Sequence, residues 1–241
     1  MNRILRDVKE TGRVIRNTPV YRYNRVYASS NEDLKSLFSS FDIKGKNVLS
    51  VLASGDQVFH PCSRGAMMVD YFDINKLSYY YFYLRLWNIR YNKKYYIPDR
   101  LNLENVRKLL EKVIPSNINE ENALKYFKKL LTRTNETEFR RIFVSGSYYY
   151  INENKLHWMM RLYKKLEKSL GDFYHMNLMD KITIDGGYDI IYTSNIHDYV
   201  YDSKFLSTGD ITIYRDNLYN LLNDNGIFIG SNVISDSVRY F

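Results

Sequence analysis

Residues 47–57 read NVLSVLASGDQ, and this stretch decides the fold prediction. Asn47–Leu52 is a short run rich in valine and leucine between glycine-containing flanks, which is typical of a buried strand. The run stops at the small residues Ala53, Ser54 and Gly55, followed by Asp56. Two explanations are open. Turns favour small and polar residues for local backbone reasons, or a ligand lies against this backbone and a larger side chain would obstruct it.

The same alternation of strand and helix continues along the chain. Met67–Ile74 is predicted to be a second strand, and Asn75 can cap a helix in which apolar residues recur at helical spacing from Leu77 to Tyr91. Between the two strands, Asp56–Arg64 is predicted to be at most a weak, short helix, because Pro61 lacks an amide proton. The remaining predicted elements are strands at Asp172–Leu178, Tyr188–Thr193 and Ile227–Ile234, and a helix at Asp210–Asn223 that Asp224-Asn225-Gly226 closes.

Strands that alternate with helices indicate a mostly parallel sheet, because each parallel return needs a crossover connection. The prediction is therefore an α/β, Rossmann-like fold with helices on both faces of the sheet. We expect residues 1–241 to form a single domain with two helical sub-regions. One is an N-terminal helical cap at 1–43 that includes a short helix at Leu34–Phe41. The other is a helical insertion at 92–170, whose last helix, Asn154–Leu170, should end at Gly171.

Composition limits the classes of partner and compartment. The 241 residues carry a formal net charge of +8, which favours anionic partners. The basic residues are spread along the chain, so nucleic acid is a less favoured partner. A single cysteine, Cys62, and an N-terminus without a signal-peptide pattern predict a cytoplasmic protein. No stretch approaches the ~20 apolar residues of a membrane span. The four scattered histidines have no metal-ligand spacing, so no metal is predicted.

Polar residues fall at the predicted carboxyl ends of the strands, where open parallel sheets bind ligands. Asp73 ends the second strand 18 residues after Gly55, a spacing that suits a carboxylate accepting both hydroxyl protons of a ribose. Asp73 has a structural alternative as a cap of the Asn75 helix. The sequence contains neither G-x-G-x-x-G nor a P-loop, which counts against NAD, FAD and nucleotide hydrolysis. An adenosine-containing ligand without phosphates fits better.

Three stretches carry a resemblance to a known family: ASGDQVF at 53–59, VDYFDIN at 69–75 and YDIIYTSNIHDY at 188–199. Together they resemble class I, Rossmann-like S-adenosylmethionine-dependent transferases. More narrowly, they are similar to the diacylglycerol 3-amino-3-carboxypropyl transferases of betaine-lipid synthesis and their bacterial relatives. The resemblance covers about residues 20 to 92 and 171 to 232. The first loop has one glycine where typical methyltransferases have two or three, and the antiparallel strands that usually finish the sheet look short or missing.

The resemblance implies a set of cofactor-binding residues. Asp73 would hold the ribose, Ile74 would lie against adenine, and the amide oxygen of Asn177 would accept a hydrogen bond from the adenine amino group. Asn177 ends the third strand in this prediction, where the wider class often has an aspartate. The residues implied beside the methionine part of the cofactor are Ala53, Ser54 and Gly55, with Asp56 near its ammonium group.

The resemblance also implies where the reaction takes place. Ser194 and Asn195 would face the reacting sulfonium, and Tyr27 with Asn31 could belong to an N-terminal lid. Asp198 forms an acid–base pair with His197 under one interpretation, whereas the histidine is a surface or packing residue under the other.

The predicted function is therefore S-adenosylmethionine-dependent transfer to an unidentified acceptor, most often methyl transfer in this fold. One alternative is transfer of the 3-amino-3-carboxypropyl group from the same cofactor. The other is a non-catalytic Rossmann-like module that binds RNA, a membrane surface or a protein.

Overall fold

A computed structural model describes residues 3–16, 26–27, 30, 32, 34–92, 102–144, 164–178, 180, 182, 184–194, 196, 207–230 and 234–235. In this described part, the helices include α1 (Arg3–Arg16), α2 (Leu34–Ser39), α3 (Asp56–Ser63), α4 (Lys76–Asn92), α5 (Leu103–Lys112), α6 (Ile118–Leu131), α7 (Glu136–Ile142) and α8 (Thr208–Leu221), and residues 164–169 are also helical. The strands are β1 (Val26–Tyr27), β2 (Asn47–Val51), β3 (Met68–Phe72), β4 (Phe143–Val144), β5 (Leu170–Tyr174), β6 (Tyr188–Ser194), β7 (Leu222–Gly230) and β8 (Ile234–Ser235).

The chain divides into two compact units. The first contains Met1–Asn31, Ala53–Asp56 and Asn75–Lys164; the second contains Glu32–Leu52, Gln57–Ile74 and Lys165–Phe241. The regions predicted as the N-terminal cap and the helical insertion lie largely in the first unit, and the main sheet lies in the second. The assignment of the whole chain to a single domain stays a prediction.

The second unit is built on a six-stranded sheet in the order β5-β3-β2-β6-β7-β8. The first five strands are parallel, and β8 is antiparallel to β7. Strands β2 and β6 are buried along most of their length, as parallel strands covered on both faces must be. The predicted α/β, Rossmann-like fold is confirmed, and the antiparallel strand β8 spans only two residues.

The strand order places a topological switch at the middle of the sheet. From β2 the chain moves outward to β3 and β5, and it then returns to add β6 and β7 on the other side of β2. The carboxyl ends of β2 and β6 are therefore neighbours at the point where the order reverses. This is the position at which open α/β sheets bind their ligands.

The short helix predicted after the first loop is present, and α3 spans eight residues with Pro61 inside it. Proline has no N–H for the carbonyl four residues earlier, which belongs to Gln57. The hydroxyl of Ser50 donates to that carbonyl at 3.1 Å and supplies the missing hydrogen bond. A polar side chain on the neighbouring strand β2 thus allows the helix to continue through the proline.

The prediction for the third strand was displaced. Helical residues end at 169 and β5 begins at Leu170, so Gly171 lies in a strand and not at a helix end. The reason is the buried carboxylate of Asp70 on β3, whose Oδ1 accepts the N–H of Asp172 at 2.7 Å. A Cβ at position 171 would lie 1.9 Å from that same oxygen. Gly171 is therefore the residue that lets a β-bulge close around Asp70.

The last parallel strand also differs from the prediction. Asp224-Asn225-Gly226 was expected to close a helix, but α8 ends at Leu221 and these three residues lie within β7. The pairing register shifts along this part of β7: Tyr188 is opposite Leu222, and Ile190 is opposite Ile227. The extra residues form an irregular bulge. Turn-forming residues are compatible with it, because 223–225 are exposed.

Helices and a two-strand pair make up the described part of the first unit. Helices α5 and α6 begin with asparagine caps, because the side chains of Asn102 and Asn117 each accept a backbone N–H in the first turn. Helix α4 contacts both α5 and α6, and the rings of Tyr80 and Tyr126 stack with their centroids 3.8 Å apart. In the part of the chain that the structure describes, no helix combines the length and apolar character needed to cross a bilayer.

Candidate functional site

The loop that follows β2, residues 53–56, belongs to the first unit. Ala53 and Gly55 both have left-handed backbone conformations, with φ of 44° and 90°. A Cβ on Gly55 would lie 2.9 Å from Cδ2 of Phe82 on α4. Backbone conformation and packing against Phe82 together account for a glycine at position 55. A ligand is not required to explain it, and its role beside a cofactor stays a prediction.

Asp56 is buried in a polar network within the first unit. Its carboxylate accepts hydrogen bonds from the guanidinium of Arg85 at 2.8 Å, from the backbone N–H of Ser30 at 2.8 Å and from the hydroxyl of Ser54 at 3.0 Å. Arg85, only 1% exposed, also donates to the Ser54 carbonyl oxygen at 2.5 Å. These contacts give Ser54 and Asp56 a structural role. That Asp56 lies near a ligand ammonium group stays a prediction.

In the second unit, Asp73 follows the carboxyl end of β3. Asp73 is 8% exposed, and its backbone N–H donates to the carbonyl oxygen of Tyr174 at 3.2 Å. The ends of β3 and β2 lie side by side, because the Leu52 N–H donates to the Phe72 carbonyl oxygen at 2.8 Å. The cap of α4, the alternative role for Asp73, is supplied by Asn75, whose side chain accepts the Leu77 N–H at 3.0 Å.

The two residues predicted to contact adenine have different surroundings. Ile74 follows Asp73 and is 53% exposed, and its carbonyl oxygen lies 2.9 Å from Nε2 of His175. Asn177 does not end a strand as predicted, because β5 stops at Tyr174. Asn177 is half-buried in the turn that follows, and its carbonyl accepts the N–H of Asp180 at 3.0 Å. Strand β5, with its bulge around Asp70, begins and ends earlier in the chain than the predicted strand. Asn177 therefore lies beyond its end.

The end of β6 carries a cluster of four residues of the second unit, here called the Glu32 cluster: Glu32, Gln57, Tyr192 and Ser194. The carboxylate Oε1 accepts the Ser194 hydroxyl at 2.8 Å. Oε2 accepts the Tyr192 hydroxyl at 2.6 Å and the side-chain amide of Gln57 at 3.4 Å. Both carboxylate oxygens are therefore held in fixed directions beside the topological switch.

Ser194 has an unusual backbone for its residue type. Its φ is 56°, and it is 7% exposed. A left-handed conformation costs a residue with a Cβ about 1–2 kcal/mol, and such residues persist where neighbouring contacts hold them. The hydrogen bond to Glu32 is one such contact. The predicted site residue Ser194 thus lies at the carboxyl end of β6, in a conformation that the cluster supports.

Tyr192 anchors the cluster in the core. Its side chain is buried against Phe38 of α2, with ring centroids 5.1 Å apart in an edge-to-face arrangement. Burial raises the pKa of Tyr192 above its usual range, and the neighbouring Glu32 charge and hydrogen bond raise it further. The phenol therefore stays protonated and donates to the carboxylate.

Sequence reasoning missed the Glu32 cluster. Of its four residues, only Ser194 was predicted as a site residue, and Tyr192 was placed only in a predicted strand. The partners are 160 and 162 residues apart in the chain, so no local spacing relates them. The one local signal in the sequence was an acidic side chain before a short helix. Such a side chain is equally typical of an ordinary helix N-terminus, so it does not indicate a site.

Several predicted residues are not tested by the structure. Asn195 and Asp198, with His197, lie outside the described residues, as does Asn31. The backbone of Tyr27 forms the two-residue strand β1, which pairs in parallel with β4 in the first unit. Its role in a lid over a cofactor stays a prediction.

Comparison with known proteins identifies no family for this chain. No protein-family model matches the chain, and no curated protein does. A solved structure with which the chain aligns is a provisionally assigned S-adenosylmethionine dependent methyltransferase from Listeria monocytogenes. The identity is 12% and the TM-score 0.33, with 81% of this chain and 52% of that chain covered. The chain thus spans about half the length of that protein, and a likeness this distant carries no argument about activity.

Proposed function

We propose that this chain is an S-adenosylmethionine-binding transferase that moves a methyl group to an acceptor. The observation that carries the proposal is the position of Asp73 in the second unit. Asp73 is a largely buried residue directly after β3, and β3 lies beside β2 in the sheet. A carboxylate at this place can accept both hydroxyl protons of an adenosyl ribose.

The neighbouring residues support an adenosine ligand. The exposed side chain of Ile74 offers an apolar surface next to Asp73, against which an adenine ring could rest. No phosphate-binding glycine pattern accompanies it in the sequence, which favours an adenosyl sulfonium over a dinucleotide. The contribution of Ala53, Ser54, Gly55 and Asp56 to cofactor binding is part of the proposal only as a prediction from the sequence.

The reacting end of the cofactor would lie towards Ser194, since β6 is the strand across the switch from β2. A sulfonium is already a good leaving group. The protein's main tasks are therefore to align the acceptor nucleophile with the attacked carbon and to exclude water, with a base needed only if the nucleophile must lose a proton. Asn195 and Asp198 remain candidates for those tasks.

Binding is the first test. Calorimetry with S-adenosylmethionine and with S-adenosylhomocysteine should show saturable heat for the wild type. Asp73→Ala should weaken binding by about 1.5–3 kcal/mol, the loss expected when a charged hydrogen-bonding group is removed. Asp216→Ala, which removes an exposed carboxylate on α8, is the matched control and should bind as the wild type does. Absence of heat with both ligands would reject the proposal.

The product separates methyl transfer from its alternative. Incubating the protein with S-adenosylmethionine and a cell extract should accumulate S-adenosylhomocysteine if the methyl group is transferred. Accumulation of methylthioadenosine would instead indicate transfer of the 3-amino-3-carboxypropyl group, in which the acceptor attacks the methionine γ-carbon.

A non-catalytic RNA-binding module is the second candidate, and one observation favours it. Arg3, Arg6 and Lys9 are exposed on α1 at a spacing of three residues, which places three basic side chains along one side of the helix. Basic side chains of this kind bind phosphates in a salt-dependent manner. RNA binding that weakens steeply with salt, together with no binding of either adenosyl ligand, would support the module over the enzyme.

A further inference from the structure

A basic surface with exposed methionines lies at the amino-terminal ends of β2 and β3 in the second unit. It is here called the Met67 surface and consists of Met67, Met68, Lys44, Lys46, Arg64 and Lys165. We propose that the Met67 surface docks this protein on the face of an anionic lipid bilayer. The inference goes beyond the proposed function and does not depend on it, because the proposed cofactor site lies at the opposite, carboxyl ends of the strands.

The start of β3 carries the apolar part of the surface. Met67 is 60% exposed and Met68 is 37% exposed. The N–H of Met67 donates to the Lys46 carbonyl oxygen at 2.9 Å, which brings the methionines beside the start of β2. A Cβ on Gly65 would lie 3.8 Å from Cγ of Lys44, so the turns before the two strands are in contact. Adjacent exposed apolar side chains indicate an interaction surface, whereas single ones do not.

Two further basic side chains lie beside the methionines. Arg64 is in the turn before β3, and Nζ of Lys165 donates to the carbonyl oxygen of Ser63 at 2.8 Å. The hydroxyl of Ser169 donates to the Ala66 carbonyl oxygen, also at 2.8 Å. This second hydrogen bond holds the helical segment that carries Lys165 against the start of β3.

The charge of this surface suits an anionic partner. Within the described ranges, the four basic side chains of the Met67 surface make no ion pair with a carboxylate. Residues 35–46, 64–68 and 165–168 together contain six basic residues and two acidic ones, Asp42 and Glu167. Each lysine or arginine close to an anionic lipid surface strengthens binding about fivefold.

The combination of residue types favours a bilayer over a nucleic acid. Three of the four cations are lysines, which act as point charges, whereas recognition of nucleic acids relies more on the bidentate guanidinium of arginine. Contacts with phosphates also give the exposed methionine side chains no apolar environment. At a bilayer these side chains can enter the boundary between the head groups and the acyl chains.

Vesicle sedimentation of the full chain tests the proposal. Vesicles of phosphatidylcholine with about 30% phosphatidylglycerol should bind the wild type at least about tenfold more strongly than vesicles of phosphatidylcholine alone. Binding should weaken as ionic strength rises from about 0.05 to 0.5 M. Met67→Gln combined with Lys44→Gln removes one exposed apolar side chain and one charge, and should weaken binding to the mixed vesicles about tenfold.

Ile213→Gln combined with Arg215→Gln is the matched control, because it removes an exposed apolar and an exposed basic side chain from α8. Its binding should stay within about twofold of the wild type. No binding of the wild type to the mixed vesicles, or equal weakening by both double variants, would overturn the inference. RNA binding that Met67→Gln with Lys44→Gln weakens, without vesicle binding, would overturn it in favour of a nucleic acid. None of these outcomes bears on S-adenosylmethionine binding.

Methionine oxidation provides a second measurement that needs no variant. Hydrogen peroxide converts accessible methionines to the sulfoxide, which mass spectrometry locates. Mixed vesicles with saturated acyl chains should slow the oxidation of Met67. They should leave that of Met176 unchanged, because Met176 follows β5 at the other end of the sheet. Equal protection of the two methionines, or protection of neither, would contradict docking through the Met67 surface.

Discussion

Replacing Gly55 with alanine tests why small residues follow strand β2. The new Cβ would lie 2.9 Å from Cδ2 of Phe82, in a backbone with φ of 90°. The left-handed conformation should cost about 1–2 kcal/mol and the contact about 1–3 kcal/mol more. We expect Gly55→Ala to lower the free energy of unfolding by about 2–5 kcal/mol without any ligand. Urea unfolding followed by tryptophan fluorescence measures this loss.

Gly45→Ala is the matched control. Gly45 has φ of 74°, and a Cβ there would meet nothing within 4 Å, so only the backbone cost of about 1–2 kcal/mol should appear. Adding Phe82→Leu removes the opposing ring, so Gly55→Ala should cost at least about 1 kcal/mol less in that background than in the wild type. A Gly55→Ala cost no larger than that of Gly45→Ala would refute packing against Phe82 as the reason for the glycine.

Three further predictions concern stability. Gly171→Ala should cost about 2 kcal/mol or more in urea unfolding, since its Cβ would lie 1.9 Å from Asp70 Oδ1 and the bulge would have to open; a neutral result would contradict the bulge. Arg85→Met should cost about 3–5 kcal/mol by leaving the Asp56 charge buried, and adding Asp56→Asn should recover part of that loss; no recovery would argue against the ion pair. Burial and the hydrogen bond to Asp70 raise the pKa of Tyr188, so its phenol loses its proton at lower pH in the unfolded chain. Stability should therefore be unaffected by this group below about pH 10 and fall above it, as urea midpoints between pH 8 and 11 would show, with a smaller fall in Tyr188→Phe.

The sequence predicted the central strands well and the outer ones poorly. Strands β2, β3 and β6 were placed within two residues because parallel strands buried on both faces are continuous apolar runs. The start of strand β5 was predicted two residues too late, because the register of this strand depends on the buried carboxylate of Asp70 on another strand. Strand β7 contains turn-forming residues in a bulge, which local propensity alone assigns to a loop.

The position of Asp73 in the fold was predictable, because it depends on order along the chain. Asp73 follows a strand at a spacing that can be read from the sequence, and its position beside the end of β2 follows from the parallel fold. The Glu32 cluster depends on contacts between residues about 160 positions apart. The packing of Phe82 on Gly55 likewise depends on how α4 lies, so the internal reason for that glycine appeared only with the structure.

The central claim is that Asp73 binds the ribose of an adenosyl ligand, and a crystal structure with S-adenosylhomocysteine tests it most directly. The account predicts both ribose hydroxyls within about 2.5–3.0 Å of the Asp73 carboxylate oxygens, with the sulfur directed towards the end of β6. An adenosyl group bound away from Asp73, or crystals that take up no ligand at saturating concentration, would contradict it.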